Sequence, residues 1–285
     1  MSLDTIACLF DPQNLLAITI DDLGKSTVFL RQQRQHFELK GKKEYEVWYR
    51  DPTNKQYKPK LDTIGGTGFL TSHNGKIYIV TAKHIASKLT KNAEVLWNTA
   101  LGEMRKFTFE LLHRKLPDSR WFYHPLADIA VHPFGFSEKA DHILISEKVY
   151  WNSEKEISLG REVCILGYPL LLGIDKLLSP LAKKAEVASW LTSIDRPGLN
   201  KELVFILLDE DLASGYSGSP VFTSPGARFQ GSALVAGGAK LIGIQSMTMS
   251  DQTGGKISLV VPITYLQQIY ETKPFKDYEK KIEIK

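Results

Sequence analysis

The stretch GTGFLTSHNGKIYIVTAKHIA, residues 66–86, decides the fold class of this chain. It contains two β-rich runs, Gly66–Leu70 and Lys76–Ala82, separated by the turn sequence HNG. The second run is almost wholly apolar and leads directly into His84. A strand–turn–strand unit of this kind indicates a buried antiparallel sheet with a titratable side chain at the end of one strand.

Short β-rich runs of the same kind recur along the rest of the chain, separated by clusters of Gly, Pro, Asn, Asp and Ser. Many short strands at this spacing predict an all-β barrel or sandwich, and the alternating helices that a parallel α/β sheet needs are absent from the pattern. The further predicted strands are Glu94–Asn98, Phe107–Leu112, Ile129–His132, Val163–Leu166, Ala185–Leu191, Val204–Leu208, Val221–Phe222, Leu241–Ser246 and Ile257–Val261.

The composition is that of a soluble globular protein able to bury a core: 285 residues, 43% hydrophobic and 24% charged, with a net charge of +4. The longest basic run, 31–43, is interpreted as a solvated face, so no nucleic acid is expected as a partner. The N-terminal residues lack the pattern of a secretory signal, and no apolar run reaches 18 residues. We therefore expect a cytoplasmic protein without a membrane partner.

Three short motifs carry the residue types needed for acyl transfer. His84 ends the apolar strand, Asp128 opens another strand in LADIAVHP, and Ser217 lies in GYSGSP. A serine hydroxyl acts as a nucleophile only when a tight turn exposes it beside a base. Gly215 lets the backbone turn so that its own N–H and that of Ser217 point at one spot, where they can hold an oxyanion.

Taken alone, each motif has an ordinary structural explanation: a satisfied core histidine, a strand cap and a Gly/Ser hairpin. Their order is His, Asp, Ser, with 44 positions from the histidine to the aspartate and 89 from the aspartate to the serine. Together they predict Ser217 as nucleophile, His84 as general base and Asp128 as the group that orients it. The N–H groups of Gly215 and Ser217 would form the oxyanion hole.

These motifs are similar to those of the trypsin/chymotrypsin-like serine proteases, and the similarity runs from about Gly65 to about Gln268, some 70% of the chain. GYSGSP resembles their Gly-x-Ser-Gly-x-Pro turn, and CILGYP (residues 164–169) resembles the strand that opens the second barrel in the HtrA-like branch. LIGIQS and SLVVPI resemble the strand beside the substrate cleft and the closing strand. The resemblance implies two six-stranded antiparallel β-barrels, a C-terminal helix and an active site in the crevice between the barrels.

The implied function is that of a serine endopeptidase that hydrolyses a polypeptide substrate through an acyl-enzyme, without a metal or cofactor. The oligomeric state is left open. The implied segments are an unassigned N-terminal extension (1–60), a first barrel with His84 and Asp128 (61–150), a second barrel with Ser217 (151–262), and a C-terminal helix with a charged tail (263–285).

Three departures from the resembled family stand out. Tyr216 occupies the place where secreted members carry an aspartate that pairs with a new N-terminus, so activation by N-terminal cleavage is not expected. Lys83 replaces the usual alanine before the histidine. With two cysteines, Cys8 and Cys164, the chain lacks the family's disulfides, as expected for a reducing compartment.

Other functions remain open at this point. The double barrel could serve as a catalytically silent binding module, although the complete His-Asp-Ser set favours an enzyme. An esterase could use the same triad, because the acyl-transfer chemistry is shared. A nucleic-acid-binding protein is a third and weaker alternative, suggested only by the sequence pI of about 8.8.

Substrate preference is the remaining sequence-based expectation. In the trypsin branch an acid six residues before the nucleophile lies at the base of the primary substrate pocket, and here that position is Asp211. A carboxylate there would favour a substrate Arg or Lys. The opposite wall would be formed by Ser246, Met247 and Thr248. If Asp209 instead plays a structural role seen in HtrA-like members, Asp211 would face solvent and the pocket would accept small or aliphatic residues.

Overall fold

The computed structural model describes residues 20–35, 37–40, 43–51, 53, 55–99, 101–136, 143–151, 157–174, 178–194, 202–224, 226–230, 233–250 and 253–283. The predictions for residues 1–19, which include Cys8, lie outside this part of the chain. Cys164 is a buried free thiol.

The quoted stretch folds as the predicted hairpin. Its turn residues Asn74 and Gly75 both have positive φ, 47° and 71°, and His73 pairs with Lys76 across a two-residue loop. Positive φ at both central positions is the pattern of a type I′ turn, which suits Asn-Gly and matches the right-handed twist of the flanking strands. The turn therefore sets the register that aligns Gly68 with Thr81 further along the hairpin.

The first unit is an eight-stranded sheet that begins inside the segment left unassigned as an N-terminal extension. Its strands are β1 (Thr27–Gln35), β6 (Leu61–His73), β7 (Lys76–Thr81), β8 (Glu94–Asn98), β9 (Met104–Thr108), β10 (Phe122–Tyr123), β11 (Ala130–Phe136) and β12 (Ile145–Ser146). Their order is β10-β11-β7-β6-β1-β8-β9, with β12 paired parallel to β6. Two hairpins lie between β1 and β6: β2 (Phe37–Lys40) with β3 (Lys43–Glu46), and β4 (Trp48–Arg50) with β5 (Tyr57–Pro59).

The second unit is a closed six-stranded barrel. Its strands are β13 (Glu162–Gly167), β14 (Leu181–Ser193), β15 (Val204–Leu208), β16 (Pro220–Thr223), β19 (Leu241–Ser250) and β20 (Lys256–Pro262). They close in the order β13-β14-β15-β20-β19-β16, and β17 (Gly226–Gln230) and β18 (Ala233–Gly237), which follow β16 in the chain, form a separate two-stranded hairpin. The all-β chymotrypsin-like fold predicted from the sequence is thus confirmed. The second unit is the predicted six-stranded barrel, whereas the first is an eight-stranded sheet in place of the predicted six strands.

The helices lie at the edges of the two units. They are α1 (Ile20–Lys25), α2 (Lys83–Ala86), α3 (Phe109–Lys115), α4 (Thr264–Glu271) and α5 (Lys273–Glu283), with short 3₁₀ turns at Glu147–Val149 and Pro169–Leu171. The predicted helix after Pro262 is present as α4. The charged tail forms the further helix α5, because Phe275 and Tyr278 are buried on one face.

The predicted strand Phe107–Leu112 is wrong over most of its length, because α3 begins at Phe109. The Thr108 hydroxyl accepts a hydrogen bond from the N–H of Leu111 at 3.2 Å and caps this helix. Phe109 and Leu112 are buried three residues apart, which is helical spacing.

One hydrophobic core runs through both units and includes the inner faces of α4 and α5. A smaller cluster joins Phe29 of β1 to Tyr168 at the end of β13, with ring centroids 5.6 Å apart. The C-terminal helix closes the first unit, since Phe275 packs against Phe122 at 5.2 Å and against Tyr78 at 5.3 Å. Within the described residues, no helix is long and apolar enough to cross a membrane.

A histidine is buried inside the first unit. His132 of β11 is fully inaccessible, its Nδ1 lies 2.6 Å from the Pro133 carbonyl oxygen, and its ring packs against Phe109 and Trp121 at about 5 Å. Burial lowers the pKa of His132 to about 3, with a further contribution from His113. The neutral ring is therefore part of the folded core.

We predict that His132 makes the fold sensitive to acid. Below about pH 6.5 the unfolded chain binds a proton that the folded chain does not bind until about pH 3. His132 leaves the free energy of unfolding unchanged with pH above about pH 6.5. Below that pH it makes the free energy of unfolding decrease by about 1.4 kcal/mol per pH unit as the pH falls. Urea unfolding of wild type and His132→Asn between pH 4 and 8 measures this, and a pH slope equal in the two proteins would contradict it.

Candidate active site

The predicted nucleophile lies in the second of two successive β-turns, residues 213–216 and 216–219. The N–H of Tyr216 bonds the carbonyl of Ala213 at 3.3 Å, and the N–H of Ser219 bonds the carbonyl of Tyr216 at 2.8 Å. The third residue of each turn is a glycine with positive φ, 106° at Gly215 and 85° at Gly218. Positive φ at this position defines a type II turn and explains both glycines. Ser217 is thereby placed on a tight, half-buried bend.

Close contact with surrounding backbone is a second reason for both glycines. A Cβ at Gly218 would lie 2.1 Å from the carbonyl oxygen of Thr67 in β6 and 2.2 Å from the Thr81 hydroxyl in β7. A Cβ at Gly215 would lie 2.5 Å from the carbonyl oxygen of Tyr168. The absence of a side chain at Gly218 therefore lets the turn approach the first unit, and its absence at Gly215 lets the turn pack against the backbone that follows β13.

Thr67 joins the turn to both units. Its N–H donates to the Ser217 carbonyl at 3.0 Å, and its hydroxyl donates to the Gly215 carbonyl at 2.8 Å. The same hydroxyl accepts from the N–H of Tyr168 at 3.0 Å, while the Thr67 carbonyl accepts from the Thr81 hydroxyl at 2.6 Å. Thr67 is fully buried, so these bonds are shielded from competing water.

His84 and Asp128 meet on the first unit. His84 lies in the short helix α2, immediately after β7, and Asp128 lies in the segment between β10 and β11. One oxygen of Asp128 accepts the backbone N–H of His84 at 2.8 Å, and the other lies 2.7 Å from His84 Nδ1. This pairing places a proton on Nδ1 and leaves Nε2 as an acceptor.

Asp128 is held in its ionised form. Burial alone would raise its pKa, but the hydrogen bonds and charge of His84, together with a hydrogen bond from Ser246, more than offset this and lower the pKa. The Ser246 hydroxyl donates to Asp128 at 2.6 Å. Ser246 was predicted as a wall of the substrate pocket, and its bond to Asp128 is a contact that the sequence motifs did not indicate.

All three predicted triad residues line one cavity of about 940 Å³, which lies between the two units. Ser246 and Met247 line it too, together with Leu203 and Phe205 of the second unit. The Ser217 hydroxyl donates to the Ser246 carbonyl at 3.3 Å. Within the described residues it makes no hydrogen bond to His84, so the structure brings the serine to the same cavity as the His84–Asp128 pair without joining them directly.

The predicted oxyanion hole consists of the backbone N–H groups of Gly215 and Ser217. Neither the N–H of Gly215 nor that of Ser217 donates to a protein acceptor in the described part of the chain, whereas the neighbouring N–H of Gly218 bonds the Gln245 carbonyl at 2.7 Å. Backbone donors left without a protein acceptor beside a serine that lines a cavity can bind an oxygen of a ligand.

The structure does not bring Asp211 to the cavity. Its carboxylate forms an exposed ion pair with Lys256, which lowers the pKa of Asp211 chiefly through the hydrogen bond. Thr248 also lies off the cavity, because its hydroxyl bonds the Leu212 carbonyl at 3.3 Å and lies 3.3 Å from the hydroxyl of Ser258. Of the predicted pocket residues, only Ser246 and Met247 line the space next to Ser217.

This combination of an all-β fold and a His-Asp-Ser cavity belongs to a recognisable class of proteins. The chain matches the trypsin-like peptidase domain family over residues 66–229, which is more than half of its length, and it belongs to that family. Membership of this family supports a hydrolase of the protease class.

Solved structures with a similar fold include AlgW and Deg5. One is an HtrA-type protease, AlgW, solved with a decapeptide: the TM-score is 0.54 at 16% identity, covering 89% of this chain and 66% of that one. The other is Deg5, with a TM-score of 0.53 at 17% identity and 90% of each chain covered. At these identities the likeness is one of fold. No curated protein sequence gives a significant match to the chain.

We predict that Thr67→Val impairs the site while leaving the fold in place. Valine keeps the shape and the backbone bond but removes the hydroxyl, which leaves the Gly215 carbonyl and the Tyr168 N–H without their partner. The stability cost should be about 1–3 kcal/mol. The rate at which a fluorophosphonate labels Ser217 should fall about tenfold or more, because the turn is no longer fixed.

Thr71→Val is the matched control for this prediction. Thr71 lies on the same strand and is equally buried, and its hydroxyl bonds the Ile145 carbonyl at 2.7 Å, away from the cavity. It should lower stability to a similar extent with little effect on labelling. Equal labelling rates for the two variants would show that Thr67 has no special role at the site.

Proposed function

We propose that this chain is a serine endopeptidase, with Ser217 as nucleophile, His84 as general base and Asp128 orienting the imidazole. The observation that carries the proposal is the double contact of Asp128 with His84 at the edge of a cavity that Ser217 also lines. Membership of the trypsin-like peptidase domain family supports the same reaction class.

The proposed reaction begins with a rotation of the Ser217 side chain. A hydroxyl is a free rotor, and catalytic hydrogen bonds often tighten only when substrate is bound. Rotation would replace the 3.3 Å bond to the Ser246 carbonyl with a bond to His84 Nε2. Nε2 then takes the hydroxyl proton as the oxygen attacks the substrate carbonyl.

The negative charge that develops on the substrate oxygen would be held by the N–H groups of Gly215 and Ser217. Protonated His84 gives its proton to the leaving amine, and the peptide bond breaks to give an acyl-enzyme. Water, deprotonated by His84, then releases the acid product and restores the serine. Asp128 stays ionised throughout and stabilises the transient imidazolium, in keeping with its lowered pKa.

We predict that a fluorophosphonate labels wild type at Ser217 and that Ser217→Ala abolishes the labelling. His84→Ala and Asp128→Asn should each reduce peptide turnover by about 10⁴-fold, and the losses should be far from additive because the residues act as a unit. Peptide mapping by mass spectrometry identifies the modified residue. Ser214→Ala, a change at an exposed serine of the same loop, is the matched control and should keep full labelling.

A catalytically silent binding module is the second candidate, because the Ser217 hydroxyl bonds the Ser246 carbonyl and not His84. Folded wild type that is not labelled and does not cleave casein would favour this candidate. Equal labelling of wild type and Ser217→Ala would exclude the triad assignment.

We further propose that the substrate residue before the cleaved bond is apolar. The cavity that Ser217 lines also has Leu203, Phe205 and Met247 in its wall, and its one lining carboxylate among the described residues, Asp128, is engaged by His84. An apolar side chain gains by burial there, whereas a cationic side chain would lose its water without a free partner.

We predict that a positional peptide library shows this apolar preference and that Asp211→Ala leaves it unchanged, since Asp211 is engaged with Lys256. Lys256→Ala is the informative partner variant because it frees the Asp211 carboxylate. An Arg or Lys preference that increases in Lys256→Ala and collapses in Asp211→Ala would restore the trypsin-like interpretation of Asp211.

A further inference from the structure

The segment that carries Asp128 has an unusual internal support. Between β10 and β11 the backbone has no regular secondary structure, and the buried side chain of His124 occupies its inner side. His124 Nδ1 accepts the backbone N–H of Leu126 at 3.2 Å and that of Ala127 at 2.8 Å. The backbone N–H of His124 donates to the Ile129 carbonyl at 3.1 Å. One imidazole thus fixes the two residues that immediately precede Asp128.

These contacts determine the tautomer of His124. Since Nδ1 accepts from two N–H groups, it carries no proton, and the proton lies on Nε2. Nε2 lies 2.9 Å from Oε1 of Gln268 in α4. The N–H at Nε2 donates a hydrogen bond to this oxygen. The ring of Tyr265, one turn earlier on α4, packs edge-on against the imidazole at 4.9 Å. Helix α4 therefore fixes the imidazole of His124, which in turn fixes the segment before Asp128.

Lys83 secures the same segment from its other side. Its ammonium donates to the carbonyls of His124 at 3.0 Å and Pro125 at 3.2 Å. Lys83 directly precedes His84, so the residue that replaces the family's usual alanine ties the histidine-bearing helix to the segment that bears Asp128. Both partners of the His84–Asp128 pair are thereby fixed relative to each other.

We propose that His124, assisted by Lys83, is a positioning residue for Asp128, and that protonation of His124 releases the segment and misaligns the pair. This inference rests on the proposed function of the His84–Asp128 pair. A protonated imidazole carries a hydrogen on Nδ1, which would face the N–H groups of Leu126 and Ala127 with no acceptor among the three. The segment cannot keep its conformation in that state.

The surroundings of His124 keep it neutral at the pH where the pair must work. Burial lowers the pKa of His124, the hydrogen bond with Gln268 opposes this, and the charge of Lys83 lowers the pKa further. Lys83 is the charged group that faces the ring from α2, Tyr265 is the titratable group on α4, and Asp128 on its own segment is turned toward His84. The two hydrogen bonds that His124 Nδ1 accepts are therefore present near neutral pH. They are lost as the pH falls through the lowered pKa of His124.

The test uses two substitutions, each of which keeps a hydrogen-bonding group close to the position of one of the two ring nitrogens. In His124→Asn the amide oxygen occupies a place close to Nδ1 and can accept from the two N–H groups. In His124→Gln the amide reaches toward Gln268, and nothing accepts at the Nδ1 position. We expect kcat to fall about tenfold or more in His124→Gln with KM little changed, and His124→Asn to retain most of the wild-type kcat. Equal losses of kcat in the two variants would overturn the proposal.

A second readout does not depend on turnover. In ¹⁵N-histidine NMR the Nδ1 proton of His84, bonded to Asp128, should give a downfield signal in wild type and His124→Asn that is lost or shifted in His124→Gln. An unchanged signal in His124→Gln overturns the positioning role even if activity falls. A changed signal in a protein that never labels with fluorophosphonate would instead reject the proposed function and leave the positioning role intact.

Lys83→Met tests the electrostatic part, because methionine keeps the apolar stem and removes the charge. Without that charge, the pKa of His124 should rise, and the pH below which the Nδ1 proton signal of His84 is lost should move upward. Titration of the His124 ring by NMR, run beside this signal, should show the same shift in both. A titration that moves downward, or a His84 signal that does not follow it, would contradict the proposal.

Discussion

The geometry of the site depends on Thr67. Four hydrogen bonds converge on this one buried residue, and they connect the turn with Ser217 to strands of both units. Because the residue is shielded from water, the loss of its hydroxyl would leave buried groups without partners, at a cost of about 1–3 kcal/mol. The relative placement of the two units is thus fixed at the point where their functional groups meet.

The glycines on either side of Thr67 allow neighbouring elements to pack closely against β6. A Cβ at Gly66 would lie 2.9 Å from the Ile85 side chain in α2, and one at Gly68 would lie 2.7 Å from the Val80 carbonyl oxygen. The GTG sequence therefore allows β6 to lie against the helix of His84 and against β7 while its central hydroxyl reaches the second unit. These three residues thus determine both the packing of β6 and the geometry of the site.

Much of the architecture could be predicted because it rests on local patterns. The Asn-Gly turn, the apolar run into His84 and the Gly-x-Ser-Gly motif each have one favoured local conformation. The strand predicted at Phe107–Leu112 failed because the cap of Thr108 and helical spacing outweigh β-rich composition there. The strand Thr27–Gln35 escaped prediction, because its second half is polar and its partner strands β6 and β8 both lie far along the chain.

The candidate site, too, could be predicted only in part from the sequence. The positions of His84, Asp128 and Ser217 on one cavity followed from motif order, whereas the orientation of Asp211 did not. Its ion pair with Lys256 joins residues 45 positions apart, and no spacing rule relates them. The support of Asp128 by His124 likewise depends on Gln268, which lies 144 positions further along the chain.

The packing of α5 against the first unit has a consequence for biosynthesis. Phe122 and Tyr78 lie in the first sheet, yet they are covered by Phe275 and Tyr278, and the Tyr78 hydroxyl bonds Glu279 at 2.8 Å. While the ribosome is still translating the second barrel, the first unit must expose these aromatic rings. Its folding is completed only after α5 has emerged, so the nascent chain passes through a long interval in which chaperones can bind it.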